Sequence, residues 1–196
     1  MRLTDEPELV DIAFQLENGR VILEAVPATG SFGECFGSVG GLIAGLSESR
    51  GQALLDNAAR RMRALTGYDR VLLTCGDHRA ESSRGSVGAA ATDADLPMFI
   101  ADTNGTATDL FPRHSNDRAV EAALLRAPGP QAIAALRDAG IRASLRLPFE
   151  SDNNAKGEFR CDSRTPREPS FELHAAAELF AQLFAMQLKM DRLRSS

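Results

Sequence analysis

The chain of 196 residues predicts a mixed antiparallel α+β fold. Two observations carry that prediction. Short segments such as 157–164, "GEFRCDSR", alternate apolar and polar residues with the period of two of a half-buried strand. Segments of helical period are interspersed among them in the order helix, strand, loop, strand, helix, strand, strand, helix, without the strict strand–helix alternation of a parallel sheet.

Each element has its own signal. Residues 11–28, "DIAFQLENGRVILEAVPA", form a hairpin, because two apolar stretches flank Asn18-Gly19. The next stretch, "TGSFGECFGSVGGLIAGL", is rich in glycine, which weakens helix and strand alike. It reads as a linker or a glycine-tolerant helix start. Residues 49–67 are a helix, with Leu54, Leu55, Ala58, Met62 and Leu65 on one face and Gly67 as its C-cap.

Residues 68–75, "YDRVLLTC", are a strand. The polar run 76–95 reads as a loop or an eroded strand pair. "MFIAD", 98–102, is a short strand. Helical stretches 117–127 and 130–140 are separated by "PGP", and Gly140 ends the second. Strands 141–149 and 157–164 follow. The final helix spans 170–193, with Ser170 as N-cap and Leu173, Ala177, Phe180, Phe184 and Leu188 on one side. The four strands 69–75, 98–102, 141–149 and 157–164 are expected in one sheet, with helices 49–66 and 170–192 on its apolar face.

Composition narrows the function classes. A net charge of −5 disfavours binding nucleic acid through a basic surface. No apolar run is long enough to cross a membrane, and "MRLTDEPELV" is too polar for a signal peptide, so a cytoplasmic location is expected. Cys35, Cys75 and Cys161 are scattered and odd in number, which argues against a disulfide framework. Cys75 and His78 have a Cys-x-x-His spacing with no second pair nearby, so a strand end is the preferred reading and no metal site is expected. His114 in a turn and His174 on the last helix read as solvated. No phosphate loop, carboxylate pair or nucleophile–base motif stands out, and no enzyme activity is expected.

Three segments carry a family resemblance: "LLDNAARRMRALTGYDRVLL", "LLRAPGPQAIAALRDAGIRASLRL" and "GEFRCDSRTP" before a long last helix. Together they look like the GAF domain of bacterial phytochromes. The hairpin before them resembles the last strands of the PAS domain that precedes GAF in that family. The resemblance therefore implies a GAF-like antiparallel sheet with helices on one face at 36–196, and a PAS-remnant hairpin and linker at 1–35.

The resemblance implies a bilin photoreceptor, but the aligned positions depart from that pattern. The bilin-stacking histidine falls on Ala132, and the cysteine of plant-type members on Gln131. The second bilin-facing histidine falls on Asp162. Ser144 aligns with a bilin-contacting serine, while Arg146 stands two residues on. "TDADLP", 92–97, only echoes the family's Pro-x-Ser-Asp-Ile-Pro signature. The bacterial attachment cysteine ahead of the PAS core has no counterpart before Cys35.

Period-two alternation puts Arg142, Ser144 and Arg146, with Glu158, Arg160 and Asp162, on the face where the family holds its chromophore. Unpaired charges there would be costly to bury, so the face is either wet or a closed ion-pair network. The expectation is a shallow, polar, partly hydrated groove crossed by an Arg146 contact to Glu158 or Asp162, with the surplus arginine meeting water, Asp102 or an anion.

The expected function is signalling through protein interaction or dimerisation with no cofactor, the last helix forming a homodimer or meeting a signalling partner. Arg142 with Arg146 could also clamp a small anionic ligand. The alternatives are a domain that still binds biliverdin and a thiol-based GAF-type reductase, which would need low-pKa cysteines near one another.

Overall fold

A computed structural model describes residues 9–17, 19–28, 33–88, 96–106, 123–151 and 156–195. The hairpin pairs β1 (Val10–Glu17) with β2 (Arg20–Pro27), antiparallel, Phe14 opposite Leu23. Gly19 sits at the tip with φ 74°, a left-handed conformation that favours glycine. This two-stranded sheet is separate from the five-stranded one that follows.

Two helices come next, α1 (Glu34–Ala44) and α2 (Gly51–Thr66). The glycine-rich stretch thus contributes a full helix, which tertiary contacts hold despite its weak propensity: Val39 is buried in the main core, with Cys35, Phe36, Leu42 and Ile43 packed against it. Helix α2 buries Leu54, Leu55, Ala58, Ala59 and Met62, and ends at Gly67 with φ 68°.

The main sheet has the order β4-β3-β7-β6-β5, built from β3 (Arg70–Cys75), β4 (His78–Ser83), β5 (Phe99–Ile100), β6 (Ala143–Glu150) and β7 (Lys156–Ser163). Every pairing is antiparallel. Part of the run read as a loop or an eroded strand pair is strand β4. Its side chains are polar because β4 is an edge strand, with His78, Arg79 and Glu81 exposed and Ala80 turned into the core. The stretch 98–102 pairs over only two residues, and β6 begins at Ala143 rather than 141.

Helix α3 (Pro130–Asp138) forms as expected and Gly140 follows it with φ 72°. The helix expected at 117–127 falls largely outside the described residues, and 123–127 are not helical. The last helix, α4 (Phe171–Ser195), covers the apolar face of β6 and β7. Ser170 Oγ accepts from Leu173 N at 3.2 Å, the expected N-cap.

An aromatic cluster joins α4 to the sheet. The Phe159 ring centroid lies 5.5 Å from Phe149, 6.0 Å from Phe180 and 5.2 Å from Phe184. Gly157, opposite Phe149 in the sheet, leaves its backbone open for that ring to lie against. Leu145, Leu147, Phe159 and Cys161 all lie on this side, so the face assigned from alternation is correct.

Neither α1 nor α2 caps its own N-terminus, since their cap residues Gly33 and Arg50 make no side-chain cap bond. Helix α4 supplies both. Glu172 Oε1 accepts from Gly33 N at 3.0 Å and Cys35 N at 2.9 Å. Asp191 Oδ2 accepts from Gly51 N at 2.9 Å. Each carboxylate also faces the positive end of the helix it closes. Replacing Glu172 or Asp191 with Ala should lower stability by about 0.5–2 kcal/mol each, the cost of a lost cap. Urea unfolding followed by circular dichroism measures it, and unchanged midpoints would refute the assignment.

His174 is half-buried on α4 beside Phe99, Leu124, Leu125 and Phe171, rather than solvated as its sequence context suggested. Desolvation lowers its pKa below the ordinary 6.5, against the opposing pull of Glu178 and Glu24. The unfolded chain therefore takes up this proton more readily than the folded one. The stabilising difference is full above about pH 6.5 and fades as pH falls through that value toward the folded pKa. Unfolding free energies at pH 7.5 and 5.5 should diverge more in the native chain than in His174→Gln; equal pH slopes would contradict this.

Candidate functional site

The polar face of the main sheet is the candidate site. Alternation brings Arg70 on β3, Glu81 on β4, Ser144 and Arg146 on β6, and Glu158, Arg160 and Asp162 on β7 to one side. The register sets Arg70, Asp162 and Ser144 in one row across three strands, with Arg160 directly opposite Arg146 in the next. Two like charges opposite each other destabilise a sheet unless neighbours neutralise them.

Carboxylates on β7 do so. Arg146 Nε donates to Glu158 Oε1 at 2.7 Å, and its Nη1 to the Leu96 carbonyl at 2.8 Å. Arg160 Nε donates to Asp162 Oδ1 at 3.0 Å, and Ser144 Oγ donates to the same oxygen at 2.9 Å. Arg70 Nη1 lies 3.9 Å from Asp162 Oδ2 and donates to the Gly88 carbonyl at 2.8 Å, while its Nε lies 3.2 Å from Glu81 Oε1. Within this set three arginines meet three carboxylates.

The network is buried at its centre. Arg70 and Arg160 are each 3% exposed and Asp162 is 0% exposed, while Arg146 and Glu158 are partly covered. This corrects the expectation of a shallow hydrated groove. The surplus arginine meets Asp102, one of the partners expected for it, because Arg142 turns to the sheet edge. There its Nε and Nη2 each donate at 2.9 Å to the two oxygens of Asp102. That pairing, led by the hydrogen bond from Arg142, lowers the Asp102 pKa below the usual carboxylate value. Arg142 and Arg146 therefore hold separate acids and do not form one clamp.

Above this face sits a smaller apolar cluster of Leu96, Ile100, Leu136 and Ile141, with Ala132 packed against it. Gln131, next to Ala132 on α3, is exposed. Gly88 lies so close to the Ala139 backbone that a Cβ would collide with it, which holds the segment after β4 against the end of α3. The echo "TDADLP" lies outside the described residues except for Leu96 and Pro97, and His114 lies outside them too.

Arg70 and Glu81 escaped the sequence reading. Arg70 had a usable signal, because the alternation Arg70, Leu72, Thr74 puts it on the polar face. Glu81 had only a weak one, because the run 76–95 read equally as a loop or an eroded strand pair.

The thiols are placed for packing. Cys75 and Cys161 are buried and Cys35 is half-buried, and none of the three is in a disulfide. Burial, reinforced by Asp162 and Glu158, pushes the Cys161 thiol far above its ordinary pKa despite a hydrogen bond with Thr66, so it stays protonated at neutral pH. Among the described residues, no cluster of three metal-ligating side chains occurs, and no helix is long and apolar enough to cross a membrane.

Comparisons with known proteins place this fold. No protein-family model matches the chain. It is 29% identical over 170 residues to phytochrome-like protein Cph1 of Synechocystis sp., covering 71% of this chain and 23% of that protein. It thus spans about a quarter of the curated relative's length. The chromophore-binding domain of the bacteriophytochrome RpBphP3 from R. palustris superposes with a TM-score of 0.77 at 22% identity, covering 94% of this chain and 70% of that one. The Stigmatella aurantiaca phytochrome photosensory core module superposes with a TM-score of 0.81 at 19% identity, covering 100% of this chain and 45% of that one. Sequence similarity and fold together support a phytochrome-like GAF domain.

Replacing Asp162 with Ala would remove the carboxylate between Arg160 and Arg70 and the acceptor of Ser144. The expected loss is about 3–5 kcal/mol, as for one partner removed from a buried ion pair. A loss under about 1 kcal/mol in denaturant unfolding would place the network in solvent instead.

Proposed function

We propose that this phytochrome-like GAF domain has lost bilin binding and acts in signal transduction through protein interaction or dimerisation, in the cytoplasm and without a cofactor. The observation that carries the reading is the buried lattice of Arg70, Arg160 and Asp162 on the sheet face. In the resemblance, this face looks onto the chromophore. Here its charged groups are occupied with one another, and opening the network to admit a tetrapyrrole would separate buried charges from their partners. Ala132, Gln131 and Asp162, at the aligned histidine and cysteine positions, offer neither an imidazole to stack on a bilin nor a thiol to hold it. In the same reading the hairpin corresponds to the last strands of a PAS domain.

A partner surface is available on α4. Leu179, Leu183, Met186, Met190 and Leu193 follow one another at spacings of four, three, four and three residues, the repeat of a helix-pairing seam. Met186 and Leu193 are 62% and 69% exposed, whereas Phe180, Phe184 and Leu188 beside them fill the core. One face of α4 thus serves the sheet, Leu183 packs at its margin, and the exposed Leu179, Met186, Met190 and Leu193 are available to meet a second helix, in a homodimer or on a signalling partner.

Incubation with biliverdin followed by absorption spectroscopy tests the reading. The expected result is the spectrum of free pigment, with no red-absorbing adduct after gel filtration. A stable far-red band that photoconverts under illumination would establish the competing reading, a working biliverdin-binding photoreceptor.

A further inference from the structure

The hairpin shows its wholly apolar face to solvent. Its face toward the rest of the chain is mixed: Ala13, Ile22 and the buried Val26 lie among Asp11, Gln15 and Glu24, and Glu24 accepts from the backbone N–H groups of Leu124 and Leu125 at 2.9 and 2.8 Å. Its outer face carries Ile12, Phe14 and Leu16 on β1 with Val21 and Leu23 on β2, paired Phe14 to Leu23 and Leu16 to Val21. These outer residues are 49%, 72%, 77%, 65% and 64% exposed in that order, and Leu9 just before β1 is 82% exposed. A solvent-facing hairpin normally shows the opposite polarity. A contiguous apolar sheet face of this kind marks an interaction surface.

We infer that this face is a self-association surface, on which the hairpin of a second copy packs face to face to make a two-layer sandwich. Three observations select a second copy. The outward residues of the paired stretch 12–16 and 21–25 are Ile, Phe, Leu, Val, Leu and Ala, with no charge or hydrogen-bonding side chain to specify a different partner. The same patch meets itself about a twofold axis, so one surface suffices for a closed dimer. The area also fits. Six large apolar side chains bury roughly 60–120 Å² each, or about 700–1,400 Å² over two copies. That reaches the lower end of a standard interface and predicts weak, concentration-dependent pairing. This contact is independent of the α4 seam and stands whether or not bilin binding is lost.

Sedimentation equilibrium of the full chain over a wide concentration range tests it. The native chain should show a reversible association step that Phe14→Ser with Leu23→Thr weakens about tenfold or more, a loss of about 1.4 kcal/mol or more. Val21→Thr should weaken it less, and serves if the double variant fails to keep the native circular dichroism spectrum. Met186→Lys with Leu193→Lys, on α4, should leave this step in place. A native chain that stays monomeric throughout overturns the inference. So does an association that the hairpin substitutions leave unchanged, or one that only the α4 substitutions abolish; the last outcome would assign dimerisation to α4 alone.

Discussion

The fold hangs on α4 as a shared partner. Helices α1 and α2 start at residues that cannot cap themselves, and a helix end with unsatisfied N–H groups is unfavourable to bury. Glu172 near one end of α4 and Asp191 near the other close them both. Between these two carboxylates, Phe180 and Phe184 enter the aromatic cluster around Phe159. Polar capping and apolar packing thus fix the same helix in the same register. Moving α4 along its axis would break both caps and empty the core together.

With one face of the sheet committed to α4, the strands' alternation leaves every second residue on the other face. That face could have been solvated. Instead it holds arginines and carboxylates covered by α3, by the segment after β4 and by the Leu96–Ile141 cluster. Cover of that kind demands charge balance, and the strand register provides it. Glu158 and Asp162 flank Arg160 on β7, so the opposed guanidiniums of Arg146 and Arg160 each have an acid within reach. Buried ion pairs seldom add net stability over apolar packing, but they penalise any arrangement that separates them. The polar lattice is thus a constraint on what can enter this face, and it underlies the proposed loss of the chromophore.

The two sheets show opposite solutions to one problem. In the main sheet, apolar residues face the helices and polar ones are paired beneath a cover. In the hairpin, Glu24 faces inward beside Val26 to bind backbone amides, and the face that carries only apolar residues looks out. A two-stranded sheet is marginal alone in water. Its outer face is left as the largest run of exposed aliphatic and aromatic side chains on the described part of the chain, together with the stripe along α4.

Local pattern by itself determined much of this protein. Asn18-Gly19 set the hairpin, Gly67 and Gly140 ended their helices, and the alternation of 157–164 sorted Phe159 and Cys161 from Arg160 and Asp162. These signals are read within a few residues, because dihedral preference and side-chain period are local properties. Which of the available acids each arginine meets is not local. Arg142 and Arg146 share a sequence phase, yet one pairs with Asp102 at the sheet edge and the other with Glu158 on the next strand. Helix α1 and strand β4 were legible only as one of two alternatives, for a related reason. Glycines weaken the intrinsic signal of the first, and polar edge residues mask the second; contacts with α4 and β3 supply what the segments lack. Only the tertiary structure could decide that the polar face is a closed network rather than a wet groove. Burial of Asp162 depends on Arg70 and Glu81, which strand pairing brings in from far along the chain.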